Sequence, residues 1–315
     1  MATETTVAGI VPENIGTIYI GDNIRATAHN IPGRRARMQC DLDELCDSEY
    51  GEQVEYGISL NEAVQAAGPE DIVVPRGGDG SVRFAVNNLQ EGAILPGRYG
   101  NASDFAVAHV GKHSLLGALR NGRRENFWSL AVTFGIGSST ETERVAGYFS
   151  TGATAAAVVD MDAAREGKFW QAISRYKLPA LLYEFGLSVR ALARANPYTI
   201  IDTDGQRRPV YNHTFARNPV IAKQGRIPQL DPLNREMFVH AINDKRFGEI
   251  AAGIGNLALG RLPGLITDEP FRFTVATETH SQLDGDVRFI PPNTTITVAL
   301  SDTPLQVITT LPVRK

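Results

Sequence analysis

The chain has 315 residues, 43% of them hydrophobic and 21% charged, with a formal net charge of -4 and a pI near 5.9. That length can bury a sizeable core and favours two modest domains over one, and the composition excludes a disordered or low-complexity chain. The acidic balance argues against broad nucleic-acid binding, which needs a basic face to neutralise phosphates, so nucleic acid is not an expected partner.

The opening stretch, MATETTVAGIVPEN, lacks the basic start and long apolar run of a signal peptide. No later segment has the ~18 consecutive apolar residues that span a bilayer, so any membrane contact is expected to be peripheral. Two cysteines, Cys40 and Cys46, are too few for a disulfide framework or a zinc site and fit a reduced, cytoplasmic setting. Arg34, Arg35 and Arg37 form a local basic cluster that reads either as an anion contact or as a solvated helix face.

Short apolar or alternating runs at 17–21 (TIYIG), 53–59 (QVEYGIS), 71–75 (DIVVP) and 92–96 (GAILP) are interleaved with helical stretches at 34–47, 60–67 and 80–90. In the last of these, Val82, Ala85, Val86 and Leu89 recur at helical spacing and can pack on a sheet. This rhythm predicts a doubly wound α/β domain over about the first 120 residues.

After NGRREN the texture changes. SLAVTFGIGSS reads as a strand entering a glycine turn, 160–195 is rich in helix formers interrupted by Pro179, and a hairpin is predicted around Asp204-Gly205. A further helix is expected near 245–259, and the alternating tail from 271 onward predicts antiparallel sheet. The second domain is therefore mainly antiparallel β.

The chemistry concentrates in IVVPRGGDGS. Glycines immediately after a strand and at the start of a helix let backbone N–H groups approach an anion, and the helix N-terminus adds favourable partial charge. Asp79 is a carboxylate inside that anion-binding turn, which points to a mechanistic role; the alternative is a helix cap by Asp79-Gly80-Ser81. No Walker A loop, GxGxxG fingerprint or GxSxG elbow is present. His109 and His113 have the spacing of helix-borne metal ligands, but Gly111 lies between them and a loop after a helix is the better reading.

GGDGS after one strand and P-x-x-x-G-N-A-S-D-F-A after the next together resemble the catalytic domain of the diacylglycerol kinase family, which includes bacterial lipid kinases and sphingosine kinases and is related to NAD kinases. Gly77, Gly78, Asp79, Gly80 and Ser81 match the family's GGDGT, with Ser for Thr. Pro96, Gly100, Asp104, Phe105 and Ala106 match its second turn, where GNASD stands for GTGND. HNIPGRRAR resembles a shortened Asn-Pro-x-Ser-Gly turn at Asn30 and Gly33, FGIGSS resembles the glycine turn opening the second domain, and LDGDV places Asp284, Gly285 and Asp286 on the family's D-G-E.

The resemblance implies an α/β nucleotide-binding domain over 1–125, completed by a strand within 300–315, and a β-rich acceptor-binding domain over 126–299, with the active site in the cleft between them. It implies ATP with Mg2+ as the phosphoryl source and a lipid hydroxyl as acceptor, with a homo-oligomer left open. Asn30, Gly33, Gly77, Gly78, Gly80, Ser81, Gly100, Asn101 and Asp104 would bind nucleotide, and Asp79, Asp284 and Asp286 are the candidate bases. The family's L-x-x-D-G-L stretch, which helps hold a structural magnesium, is replaced by QLDPLNREMFV, so no resident metal site is expected. The alternatives are an NAD kinase or other soluble-acceptor kinase, and a catalytically weakened nucleotide or lipid binder.

Overall fold

A computed structural model describes residues 15–23, 32–100, 103–165, scattered positions between 166 and 195, and 196–221, 225–243 and 263–312. The chain divides into two compact units. One comprises 1–129, 232–235 and 302–315, and the other 130–231 and 236–301.

The first unit is built on a mostly parallel six-stranded sheet. Its strands are β1 (Ile18–Asp22), β2 (Val54–Ser59), β3 (Ile72–Arg76), β4 (Ala93–Ile94), β5 (Arg123–Phe127) and the last strand of the chain, β20 (Leu305–Thr309), in the order β2-β1-β3-β4-β20-β5. Only β5 runs antiparallel to its neighbour. β3 is buried along its whole length, which is why it reads as one continuous apolar run. It tolerates Pro75 because β4 pairs only with Ile72 and Val73, so no ladder partner awaits an N–H there.

Helices α1 (Pro32–Cys46), α2 (Leu60–Ala66), α3 (Asp79–Asn88), α4 (Asp104–His109) and α5 (Leu115–Asn121) alternate with these strands. α2 starts on a capping box, Ser59 accepting from the Glu62 amide while the Glu62 carboxylate accepts from the Ser59 amide. α3 buries Val82, Ala85 and Val86, the apolar stripe its periodicity predicts.

The second unit contains two six-stranded antiparallel sheets. In chain order its strands are β6 (Leu130–Ile136), β7 (Ser139–Val145), β8 (Tyr148–Gly152), β9 (Tyr198–Ile201), β10 (Arg207–Val210), β11 (Asn212–Ala216), β12 (Val220–Ile221), β13 (Gly225–Arg226) and β14 (Met237–Ile242), followed by β15 (Leu265–Thr267), β16 (Phe271–Val275), β17 (Thr279–Leu283), β18 (Asp286–Ile290) and β19 (Thr294–Leu300). One sheet has the order β10-β9-β16-β19-β6-β7 and the other β15-β14-β11-β8-β17-β18. Val132, Phe273, Ile296 and Val298 of the first meet Phe149, Phe215, Met237 and Leu283 of the second in a shared core. The β6–β7 hairpin turns at Gly137, whose φ of 60° suits the tight two-residue connection read in FGIGSS.

One helix of this unit, α6 (Ala153–Arg165), starts earlier than the helical stretch expected from residue 160. Its first turn is held from outside: the Asn212 side chain accepts from the Thr154 amide at 2.9 Å, a cap that no local pattern announces. The helix expected near 245–259 lies outside the described residues.

Candidate functional site

β1 and β3 run parallel and finish in register, with Asp22 opposite Arg76. Their C-terminal ends, where open α/β sheets bind ligands, carry an ion pair at 3.2 Å between those two side chains. Directly after Arg76 the chain turns through Gly77, which is buried, and Gly78, the N-cap residue of α3. No side chain caps this helix; the Ser81 amide turns back to the Gly78 carbonyl at 2.9 Å, and the Gly80 amide keeps its capacity for an outside acceptor. A Cβ added at Gly80 would meet nothing within 4 Å, so open space lies beside this amide. Ser81 is buried, and its Oγ accepts from Asn23 Nδ2 at 3.0 Å, tying the turn to the end of β1.

The second glycine turn lies against the first. A Cβ on Gly100 would fall 2.4 Å from the Gly78 Cα, so the two backbones approach as closely as only glycine allows. Four residues on, the amides of Asp104 and Phe105 each donate to the Asp79 carboxylate at 3.3 Å. Asp79 therefore does not cap its own helix. It accepts from the N-terminus of α4, where Ser103 is left-handed (φ 54°) and gives no side-chain cap. Burial raises the Asp79 pKa, and the Phe105 and Asp104 amides pull it back down. Asp104 is itself buried.

In the second unit, Asp284 and Gly285 form the two-residue turn between β17 and β18, both with positive φ (49° and 95°). Asp-Gly suits such a hairpin, and the turn does more than reverse the chain. The Asp284 carboxylate is buried and accepts three backbone N–H groups, from Ala146 (2.8 Å), Gly147 (2.8 Å) and Tyr148 (2.9 Å). It thereby fixes the connection from β7 to β8. Asp286, two residues on, is exposed.

The structure brings Gly77, Gly78, Asp79, Gly80, Ser81, Gly100 and Asp104 together at one end of the parallel sheet. Gly33 lies in the first turn of α1 and is exposed, with Arg34 half-buried and Arg35 and Arg37 exposed beyond it. Asn30 and Asn101 lie outside the described residues. Asp79 belongs to the first unit, and Asp284 and Asp286 to the second. Sequence reasoning missed Asp22, Asn23 and the donors to Asp79 and Asp284. Arg76, adjoining the first glycine, was the one visible clue to the ion pair. His109 ends α4 and His113 lies on the loop beyond it. Among the described residues no three His, Cys, Asp or Glu side chains converge as metal ligands.

Solved structures share this fold. A putative diacylglycerol kinase from Bacillus anthracis str. Sterne matches with a TM-score of 0.62 at 12% identity, over 94% of this chain and 98% of that one. A second structure of a putative diacylglycerol kinase from the same source gives 0.61, with the same identity and coverage. Yeast NADH kinase complexed with NADH gives 0.52 at 10% identity, over 94% of this chain and 84% of that one. No family model and no curated protein matches the chain. At these identities the likeness is one of fold: an N-terminal α/β unit followed by an antiparallel β unit.

Proposed function

We propose, from a fold shared with diacylglycerol kinases and NADH kinase, that this chain transfers the γ-phosphoryl group of ATP to a hydroxyl of a lipid acceptor. The observation that carries the reading is the apposition of Gly78 and Gly100. It joins an uncapped helix N-terminus and a second glycine turn where a parallel sheet ends.

The residues fit a phosphate chain. Open space beside Gly80 admits phosphate oxygens to the α3 amides, and a side chain there would fill it. Mg2+ is expected to arrive with the nucleotide and to neutralise phosphate charge. The remaining work of the chain is positioning. Asp79 holds the two turns in register through the α4 amides. Asp284 is buried and its carboxylate oxygens accept from three backbone amides, so its place is in holding the hairpin. That leaves exposed Asp286 as the carboxylate we assign to accept the acceptor hydroxyl's proton, with Asp284 positioning its hairpin.

Transfer from labelled ATP with Mg2+, offered a mixed lipid extract in detergent and NAD separately, tests the reading. Label in a lipid that is lost in Asp286→Asn supports it. Label in NADP favours the second reading, a soluble-acceptor kinase, for which the fold likeness to yeast NADH kinase speaks. ATP binding with transfer to neither acceptor leaves a nucleotide-binding protein. A lipid acceptor implies peripheral membrane contact; no helix among the described residues is long and apolar enough to cross a membrane.

A further inference from the structure

A cavity of about 110 Å³ lies in the first unit, and none of the residues from Gly77 to Ser81 lines it. Arg37 and Asp41 reach it from successive turns of α1, Arg98 from the loop after β4, and Lys112 and His113 from the loop after α4. Its volume is several times the ~30 Å³ of one water and well below the ~300 Å³ at which sites for drug-sized molecules begin. A small polyatomic group fits and a nucleoside does not.

The charges around it are unbalanced. Three permanent cations, Arg37, Arg98 and Lys112, face one carboxylate, Asp41. Among the described residues, neither Arg98 nor Lys112 has a carboxylate within ion-pair distance. Arg37 and Lys112 are exposed and Arg98 is half-buried, so solvent screens part of the repulsion among these cations, and a bound anion reverses its sign.

The wall is a built one. Tyr99 is 1% exposed, and its buried hydroxyl has no hydrogen-bond partner among the described residues. Its ring packs on Gly97, where a Cβ would collide with the ring at 2.1 Å, so the loop is wrapped around its own tyrosine and Arg98 is presented beside it. Asp41 supplies an acceptor next to the cations. An anionic group carrying a neighbouring hydroxyl satisfies both.

The next residue along this loop is Gly100, the one packed against Gly78. Displacement at Arg98 is therefore two residues from the contact that sets the phosphate-binding turn.

We propose that this cavity is an effector site for a small phosphate monoester, distinct from the Gly77–Ser81 turn and coupled to it through residues 96–100. The resonance mapping below does not depend on the phosphotransfer reading; the nucleotide titration does.

The experiment is titration of the full chain with inorganic phosphate, followed by backbone amide NMR and repeated on an Arg98→Gln/Lys112→Gln variant. Saturable shifts at Arg98, Lys112, His113 and Ser114 that vanish in the variant are expected. Shifts confined to Gly77–Ser81, or equal shifts in both proteins, overturn the site. Should the variant fail to fold, the wild-type map alone decides. Parallel titrations with glycerol 3-phosphate and with short-chain phosphatidic acid distinguish a soluble ester from a lipid headgroup, and tighter binding of either supports the class. For the coupling, saturating phosphate ester is expected to change the Kd of a non-hydrolysable ATP analogue about fivefold or more in wild type and not in the variant. An equal change in both overturns it.

Discussion

Replacing Gly80 by Ala separates the folding role of the glycine turn from its binding role, because the two effects have opposite signs. Gly80 is the second residue of α3, its φ is not in the left-handed region, and an added methyl meets nothing within 4 Å. Glycine in a helix is worse than alanine by roughly 0.5–1 kcal/mol, most of it unfolded-state entropy, so the variant should be more stable by about that amount. For a unit of this size that is a rise in Tm of about 1–4 °C. The same methyl occupies the space through which a phosphate oxygen would reach the first-turn amides. Losing one charge-assisted hydrogen bond costs about 1.5–3 kcal/mol, a drop in ATP affinity of roughly 10- to 100-fold. Differential scanning fluorimetry and calorimetric ATP titration on the same samples check both halves. A variant that is stabilised yet binds ATP as wild type does would refute a phosphate site at this turn. Gly100→Ala is the counterpart, since its methyl would lie 2.4 Å from the Gly78 Cα and force the turns apart by about 1 Å. Overpacking of this kind costs about 1–3 kcal/mol, and turnover should fall by ~100-fold.

Asp284→Ala orphans three buried amide donors and should destabilise the second unit by at least about 3 kcal/mol in urea unfolding, whereas Asp286→Asn should leave the urea midpoint unchanged while removing transfer. Gly152 has φ 84°, and a Cβ there would lie 2.4 Å from the Tyr211 carbonyl oxygen, so Gly152→Ala should lower Tm by several degrees in a thermal melt. His213 is enclosed by Phe215, Phe271 and Phe273, with Nδ1 3.2 Å from the Tyr198 hydroxyl, and burial, reinforced by His240, pushes its pKa down to about 4. Because the fold favours the neutral ring, the unfolded chain takes up a proton that the native state refuses between pH 6.5 and about 4. Stability should then fall by up to about 3 kcal/mol as pH drops through that window. His213→Asn should flatten this slope in denaturant melts at stepped pH; an unchanged slope would locate the titration elsewhere.

Much of the first unit is legible because its information is local. A continuously buried strand, a helix with Val82, Ala85 and Val86 on one face and a glycine turn between them are each written in consecutive residues. GAILP overstates its strand, which ends at Ile94, Leu95 adding one last amide bond to the Val73 carbonyl before Pro96. The roles of the carboxylates were not legible. Asp79 is defined by amides 25 and 26 positions away, and Asp284 by amides more than 130 away. In both cases the recipient is anonymous backbone, which has no side-chain signature. The Asn212 cap that starts α6 early is hidden for a similar reason, since its acceptor lies 58 positions from the Thr154 amide.

β20 lies between β4 and β5, so the first sheet has a vacancy in its interior until the chain has passed through the entire second unit. During synthesis β1 to β5 leave the ribosome long before the strand that joins them, and β4, only two residues long, has little to hold it. Two unpaired edges face one another across that gap, each a template for a foreign strand. The second unit has all its own strands available first. The order of emergence therefore favours completion of the β unit before the sheet that carries the glycine turns, and places the period of greatest aggregation risk between the two.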